Sequence, residues 1–240
     1  MRSKKHILVL GDSHANKFFS STKLATGAQK QPDRIINALQ PDFRFDTVVC
    51  PGATAQGAVN PTSKTKALET FKKKLSKINP DDYDYIAIML GEVDCGFVIW
   101  YRAEKYSISV EEQLNLSVNN LFEFIRNEVL LKFKPKQVIV MGSVLPTIKD
   151  DQDWGEVCHL RSSVKATQLE RTNLTLRYNC ILKEESCKLG YNYIDITDET
   201  IDKHTGLIGD KYINSNEFDH HLPFKKTWKF FYTKLIKLTK

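Results

Sequence analysis

The sequence predicts an α/β domain: a five-stranded parallel sheet with helices on both faces. Three observations predict it. Short β-branched, apolar runs alternate with longer amphipathic stretches five times along the 240 residues. The first run, Ile7-Leu8-Val9-Leu10, is apolar at four successive positions, which suits a strand covered on both faces. The first three runs end in glycine turns, at Gly11, Gly52 and Gly91.

The opening run hands Gly11-Asp12-Ser13-His14 to the start of a helix, where free N–H groups favour negative charge near Ser13. Arg34 to Leu39 reads as the last turns of a helix closed by Pro41. Phe45 to Cys50 is a second strand, followed by the small-residue turn Pro51 to Gly57. Residues 64–78 carry Ala67, Leu68, Phe71, Leu75 and Ile78 at helical spacing. Tyr83 to Leu90 is a third strand, ending at Gly91-Glu92-Val93-Asp94-Cys95. Phe97, Trp100, Tyr101 and Tyr106 come next as a candidate wall for a sugar or acyl chain, with core packing as the alternative.

Residues 110–133 read as one long helix and Gln137 to Gly142 as a fourth strand. A polar loop runs from Ser143 to about Trp154. Residues 160–188 read as a helix ended by Gly190, and Tyr193 to Ile196 as a fifth strand. A polar loop leads to Asp219-His220-His221, and residues 224–239 form the last helix. No repeat or linker interrupts the pattern, so residues 1–240 are expected to form a single domain.

The bulk numbers bound the function. Lys+Arg 35 against Asp+Glu 29 give a formal charge of +6, with no basic block interleaved with aromatics, so no nucleic acid partner is expected. Lysines 225, 226, 229, 234, 237 and 240 read as the solvated face of the last helix. The five cysteines are odd in number and lack C-x-x-C spacing, which argues against a disulfide framework or a zinc-cysteine site. Reduced thiols and the lack of a leader-like apolar run point to a cytoplasmic protein, and no run is long enough to span a membrane.

In parallel sheets ligands bind at the carboxyl ends of the strands. Ser13, Gly52 and Gly91 all fall at such ends, and Asp219 and His221 lie in the loop after the fifth strand. These residues are therefore expected to converge.

In this order and strand context, the four blocks resemble the SGNH (GDSL-type) hydrolases. Gly11-Asp12-Ser13 is similar to the first block, with Ser13 as nucleophile. Gly52 matches the second-block glycine, an oxyanion donor. Gly91-Glu92-Val93-Asp94 stands where the family has Gly-x-Asn-Asp, and Asp219-His220-His221 stands where it has Asp-x-x-His. The resemblance implies a flavodoxin-like three-layer sandwich. It also implies ester hydrolysis or acyl transfer, often of acetyl groups on sugars, on a small-molecule or glycan ester, with no cofactor and no metal.

Two departures stand out. Val93 replaces the asparagine that completes the oxyanion hole, which leaves an impaired, binding-only pocket as an alternative. The Asp-to-His spacing is one residue short. Residues two apart in extended chain point the same way, so Asp219 pairs with His221 as base, with His220 as the alternative base. Asp12 reads as a turn or cap residue and Asp94 as a loop-holding one. His14 and Glu92 read as pocket lining.

Overall fold

The computed structural model describes residues 4–19, 40–150, 164–216 and 218–240. The expected helix end at Arg34–Leu39 lies outside the described residues, as do Cys158 and the end of the polar loop after Ser143.

Ile7 to Leu10 lie in β1 (Lys5–Gly11) and are fully buried, as expected of a central strand. β1 pairs in parallel with β2 (Phe43–Val49) on one side and β3 (Tyr85–Met89) on the other. β4 (Val138–Met141) pairs with β3, and β5 (Asn192–Ile194) with β4, also in parallel. The order β2-β1-β3-β4-β5 is the flavodoxin-like one. It puts a topological switch point at β1, whose two neighbours lie on opposite sides.

Strand alternation divides the interior into two cores. Leu8, Leu10, Ile86, Ile88, Val138 and Val140 face one of them. Helices α2 (Ala67–Lys77), α3 (Ile99–Tyr106), α4 (Val110–Phe124) and α5 (Gln168–Lys188) cover it. Ile7, Val9, Ala87, Met89, Ile139 and Met141 face the other. That core is covered by α1 (Ser13–Phe19), by the residues flanking the short α6 (Thr197–Thr200), and by α7 (Phe224–Leu238). Each fully buried side chain of this size contributes ~1.5–3 kcal/mol, so the two sandwiched cores carry most of the hydrophobic stabilisation.

Several boundaries differ from the sequence reading, for local reasons. The helix expected over 160–188 begins at Gln168, because Thr167 and Glu170 form a reciprocal capping box there. The helix expected over 110–133 stays α-helical only to Phe124, then widens into a π-helical turn over Ile125–Val129. Consecutive Phe124 and Ile125 are both fully buried at that change of pitch. Residues Ser143 to Thr147, expected as polar loop, are buried. Asn179 of α5 satisfies the Ser143 backbone, accepting from its N–H and donating to its carbonyl, and Gln168 donates to the Pro146 carbonyl. Among the described residues no helix is long and apolar enough to cross a membrane.

Candidate active site

The exit from β1 is fastened to both neighbouring strands. The Gly11 carbonyl accepts from the Cys50 N–H at 2.9 Å, and the Asp12 N–H donates to the Met89 carbonyl at 3.2 Å. Gly11 is required by close packing: a Cβ there would sit 2.6 Å from Ala15 Cβ and 2.8 Å from the Met89 carbonyl oxygen. Asp12 is buried and its Oδ1 accepts from the His14 N–H at 2.8 Å, the turn-and-cap role read from sequence. Ser13 opens α1 and is half-buried, and His14 beneath it is 1% exposed.

Gly52 adopts φ 71° in an exposed turn. The Cys50–Gly11 hydrogen bond draws that turn beside the end of β1. Gly91 adopts φ 130°, and a Cβ there would lie 2.6 Å from the Tyr178 ring. Past Gly91 the chain turns helical and continues as a π-helical turn, Asp94–Val98. Glu92 is buried, with Oε2 3.9 Å from His14 Nδ1. Val93 is half-buried and brings no polar side-chain atom to this turn.

Asp94 is fully buried and ties the turn after β2 to the one after β3. Its Oδ2 accepts from the Ala55 N–H and its Oδ1 from the Ser117 hydroxyl, both at 2.8 Å. Burial pushes its carboxyl up to about 6, against the pull of those donors.

Before α7, Asp219 Oδ1 and His221 Nδ1 are 2.6 Å apart, and Oδ1 also accepts from the His221 N–H at 3.1 Å. Lys17 of α1 donates to the other oxygen, Oδ2, at 2.9 Å, and Asn214 Nδ2 donates to it at 3.0 Å. Burial opposes ionisation of Asp219. The hydrogen bonds from His221 and Lys17 outweigh it and hold the carboxyl well below the ordinary range. Burial disfavours the His221 imidazolium more than Asp219 favours it, so its pKa is lowered, and nearby His14 pushes the same way. His221 Nε2 is buried and has no hydrogen-bond partner among the described residues. The rings of His14 and His221 are 4.6 Å apart, and those of His220 and His221 4.2 Å. The Thr147 hydroxyl fixes the intervening backbone by donating to the His220 carbonyl at 2.6 Å.

The structure thus brings His14, Glu92, Asp219, His220 and His221 to one end of the sheet, beside Ser13. Gly52 and Gly91 shape the adjoining turns, and Asp94 braces them from within. The aromatic segment is divided. Trp100 packs on the core and donates to the Cys95 carbonyl at 2.8 Å, while Tyr101 stacks on Phe97 and Tyr106 is 56% exposed. Sequence reasoning missed Lys17 and Asn214. Lys17 gave no signal, being a lysine on a short helix far from its partner in sequence. Asn214 lies five residues before Asp219, in a polar segment whose turn residues were the only hint. A separate cavity of about 600 Å³ lies at the opposite, amino-terminal ends of the strands, lined by His6, Arg44, Phe45, Asp46, Asp82 and Tyr83.

No family profile matches the chain, and no curated protein is recognisably similar to it in sequence. Solved structures are similar in fold. A carbohydrate acetylesterase family member from Sinorhizobium meliloti aligns with TM-score 0.57 at 13% identity, over 98% of each chain. A GDSL-like lipase from Bacteroides thetaiotaomicron aligns with TM-score 0.55 at 11% identity, over 97% of this chain and 88% of its own. A lipase/acylhydrolase from Enterococcus faecalis aligns with TM-score 0.51 at 15% identity, over 98% and 93%. The chain shares the α/β fold of these structures. At these identities the likeness is one of architecture, so the chemistry is argued from the side chains.

Proposed function

We propose that the protein is a serine ester hydrolase. Ser13 attacks the acyl carbonyl, His221 Nε2 takes the Ser13 proton, and Asp219 orients the imidazole and stabilises its charged form. The observation that carries this reading is the Asp219–His221 pair. Nδ1 is engaged by a carboxylate at 2.6 Å, which leaves Nε2, buried and without a hydrogen-bond partner among the described residues, as the nitrogen able to accept a proton. The same pairing favours His221 over His220 as base.

The proton then passes from His221 to the leaving alcohol as the acyl-Ser13 ester forms. Water, activated by the same imidazole, releases the acid. The N–H groups of Ser13 and Gly52 are the proposed donors to the oxyanion, with Gly91 shaping its surroundings. Val93 supplies no third donor, so the intermediate is held by fewer hydrogen bonds and turnover is slow. His14 and Glu92 line the pocket. Asp94 spends its oxygens on Ala55 and Ser117, so its role is to hold the site together rather than to touch substrate.

The proposed substrates are small acyl esters, acetyl groups on a carbohydrate first among them. This choice is supported by the acetylesterase among the structures of like fold. Val93 favours one second reading, a binding pocket that retains the fold but turns over no ester. Hydrolysis of 4-nitrophenyl acetate and of acetylated oligosaccharides separates the two. Release of acetate by the wild type but not by Ser13→Ala supports the hydrolase. Binding of the oligosaccharide with no release in either supports the second reading.

A further inference from the structure

We propose that His14, His220 and His221 form a binding site for a divalent metal ion of the zinc class, and that its occupancy switches the hydrolase off. One ring nitrogen from each histidine lies within 4.8 Å of the other two. The ring centroids are 4.2 to 5.6 Å apart. The nitrogens of a tetrahedral zinc centre sit ~3.4 Å apart, so rotating the rings inward closes the cage. Three histidines with a fourth position left for solvent are a donor set that suits this class of ion.

The surroundings fit a cation. Asp219 engages His221 at Nδ1, which leaves the lone pair of Nε2 facing inward, and that nitrogen is buried with no partner among the described residues. A carboxylate behind a ligating imidazole fixes its tautomer and strengthens it as a ligand. Asp12 Oδ1 and Glu92 Oε2 stand 3.6 and 3.9 Å from His14 Nδ1 and offset the added charge. The backbone carrying the ligands is pinned on both sides: His14 follows the fastened exit of β1, and Thr147 grips the His220 carbonyl.

The inhibitory consequence rests on the proposed serine chemistry, whereas the metal site itself does not. His221 Nε2 cannot both ligate an ion and accept the Ser13 proton. Metal occupancy and base catalysis therefore exclude one another.

The test is a titration of the chelator-stripped full chain with Co²⁺ and Zn²⁺. It is followed by the visible Co²⁺ spectrum, by calorimetry and by thermal unfolding, with 4-nitrophenyl acetate hydrolysis read in parallel. The expected result is one ion per chain, a tetrahedral Co²⁺ spectrum, a higher Tm, and hydrolysis falling in step with occupancy. Ser13→Ala retains binding. His14→Gln and His220→Gln each weaken it by ~100-fold or more, and Asp219→Asn by roughly 10–100-fold. His220 is only half-buried, so its variant remains informative if the His14 variant misfolds. No binding, or binding unchanged in the His220 variant, overturns the site. Hydrolysis that is unaffected by occupancy, or rises with it, overturns the switch. A stripped protein that hydrolyses nothing and yet binds one ion through these histidines defeats the serine reading and leaves the metal site standing.

Discussion

Lys17 and Asp219, 202 positions apart in sequence, meet at 2.9 Å beside the candidate base. The lysine takes Oδ2 and leaves Oδ1 to His221, so the carboxylate is held from both sides. Lys17→Met is expected to lower kcat/KM about tenfold, the scale of one charge-assisted hydrogen bond. Asn214 still donates to Oδ2, so the fall is milder than in Asp219→Asn, where the tautomer itself is lost and roughly 10³–10⁴ is expected. Steady-state rates on one ester, with circular dichroism to check folding, measure both.

The pH profile is set by the lowered His221 pKa. The base works when neutral, and burial keeps it neutral below the ordinary histidine value of ~6.5. Its folded value lies below the unfolded one, so its share of stability is fully present above the unfolded value and is lost as pH falls from there through the folded one, while base activity is lost as pH falls through the folded value. The acid limb of kcat/KM, measured with chelator present, is expected below ~6.5. Lys17→Met removes a nearby positive charge and is expected to move that limb upward.

Asp94 gives the opposite sign. Its carboxyl rises from 3.8 to about 6 on folding, so the folded chain holds this proton more tightly. Its contribution to stability is present at low pH and fades as pH rises across that interval, by ~3 kcal/mol in total. The difference between wild-type and Asp94→Asn unfolding free energies, followed by urea titration across that range, is expected to carry this slope.

Gly91→Ala tests the turn after β3. The new methyl meets the Tyr178 ring at 2.6 Å on a backbone at φ 130°, so strain and overpacking add. A loss of ~2–4 kcal/mol in urea unfolding is expected.

Val93→Asn adds a side-chain donor beside the proposed oxyanion hole. A rise in kcat of ~10–100-fold is expected, with KM little changed, because such a donor acts in the transition state.

The layers of this fold were legible because burial on two faces leaves a direct mark: Ile7 to Leu10 have no polar position between them, whereas the strand order was implied only by the family resemblance. The turn glycines were legible for the same kind of reason, since Gly11 and Gly91 sit where a Cβ has no room. The helix pitch was not. The π-helical turn at Asp94–Val98 shifts the phase of the residues that follow it, so the spacing of Phe97, Trp100, Tyr101 and Tyr106 could not decide between a pocket wall and the core. The Asp219–His221 pair could be read because two residues suffice to define it. The closeness of the three histidine rings was not legible in the same way, because it is set by tertiary folding.

Labelling by a fluorophosphonate probe, read by intact mass on the chelator-treated chain, tests the serine mechanism most directly. Only a serine whose proton is drawn off by a neighbouring base reacts stoichiometrically. One adduct per chain is expected on Ser13, absent in Ser13→Ala and in His221→Ala and retained in His220→Gln. A folded wild-type chain that takes up no probe, or an adduct that survives the loss of His221, would contradict the mechanism.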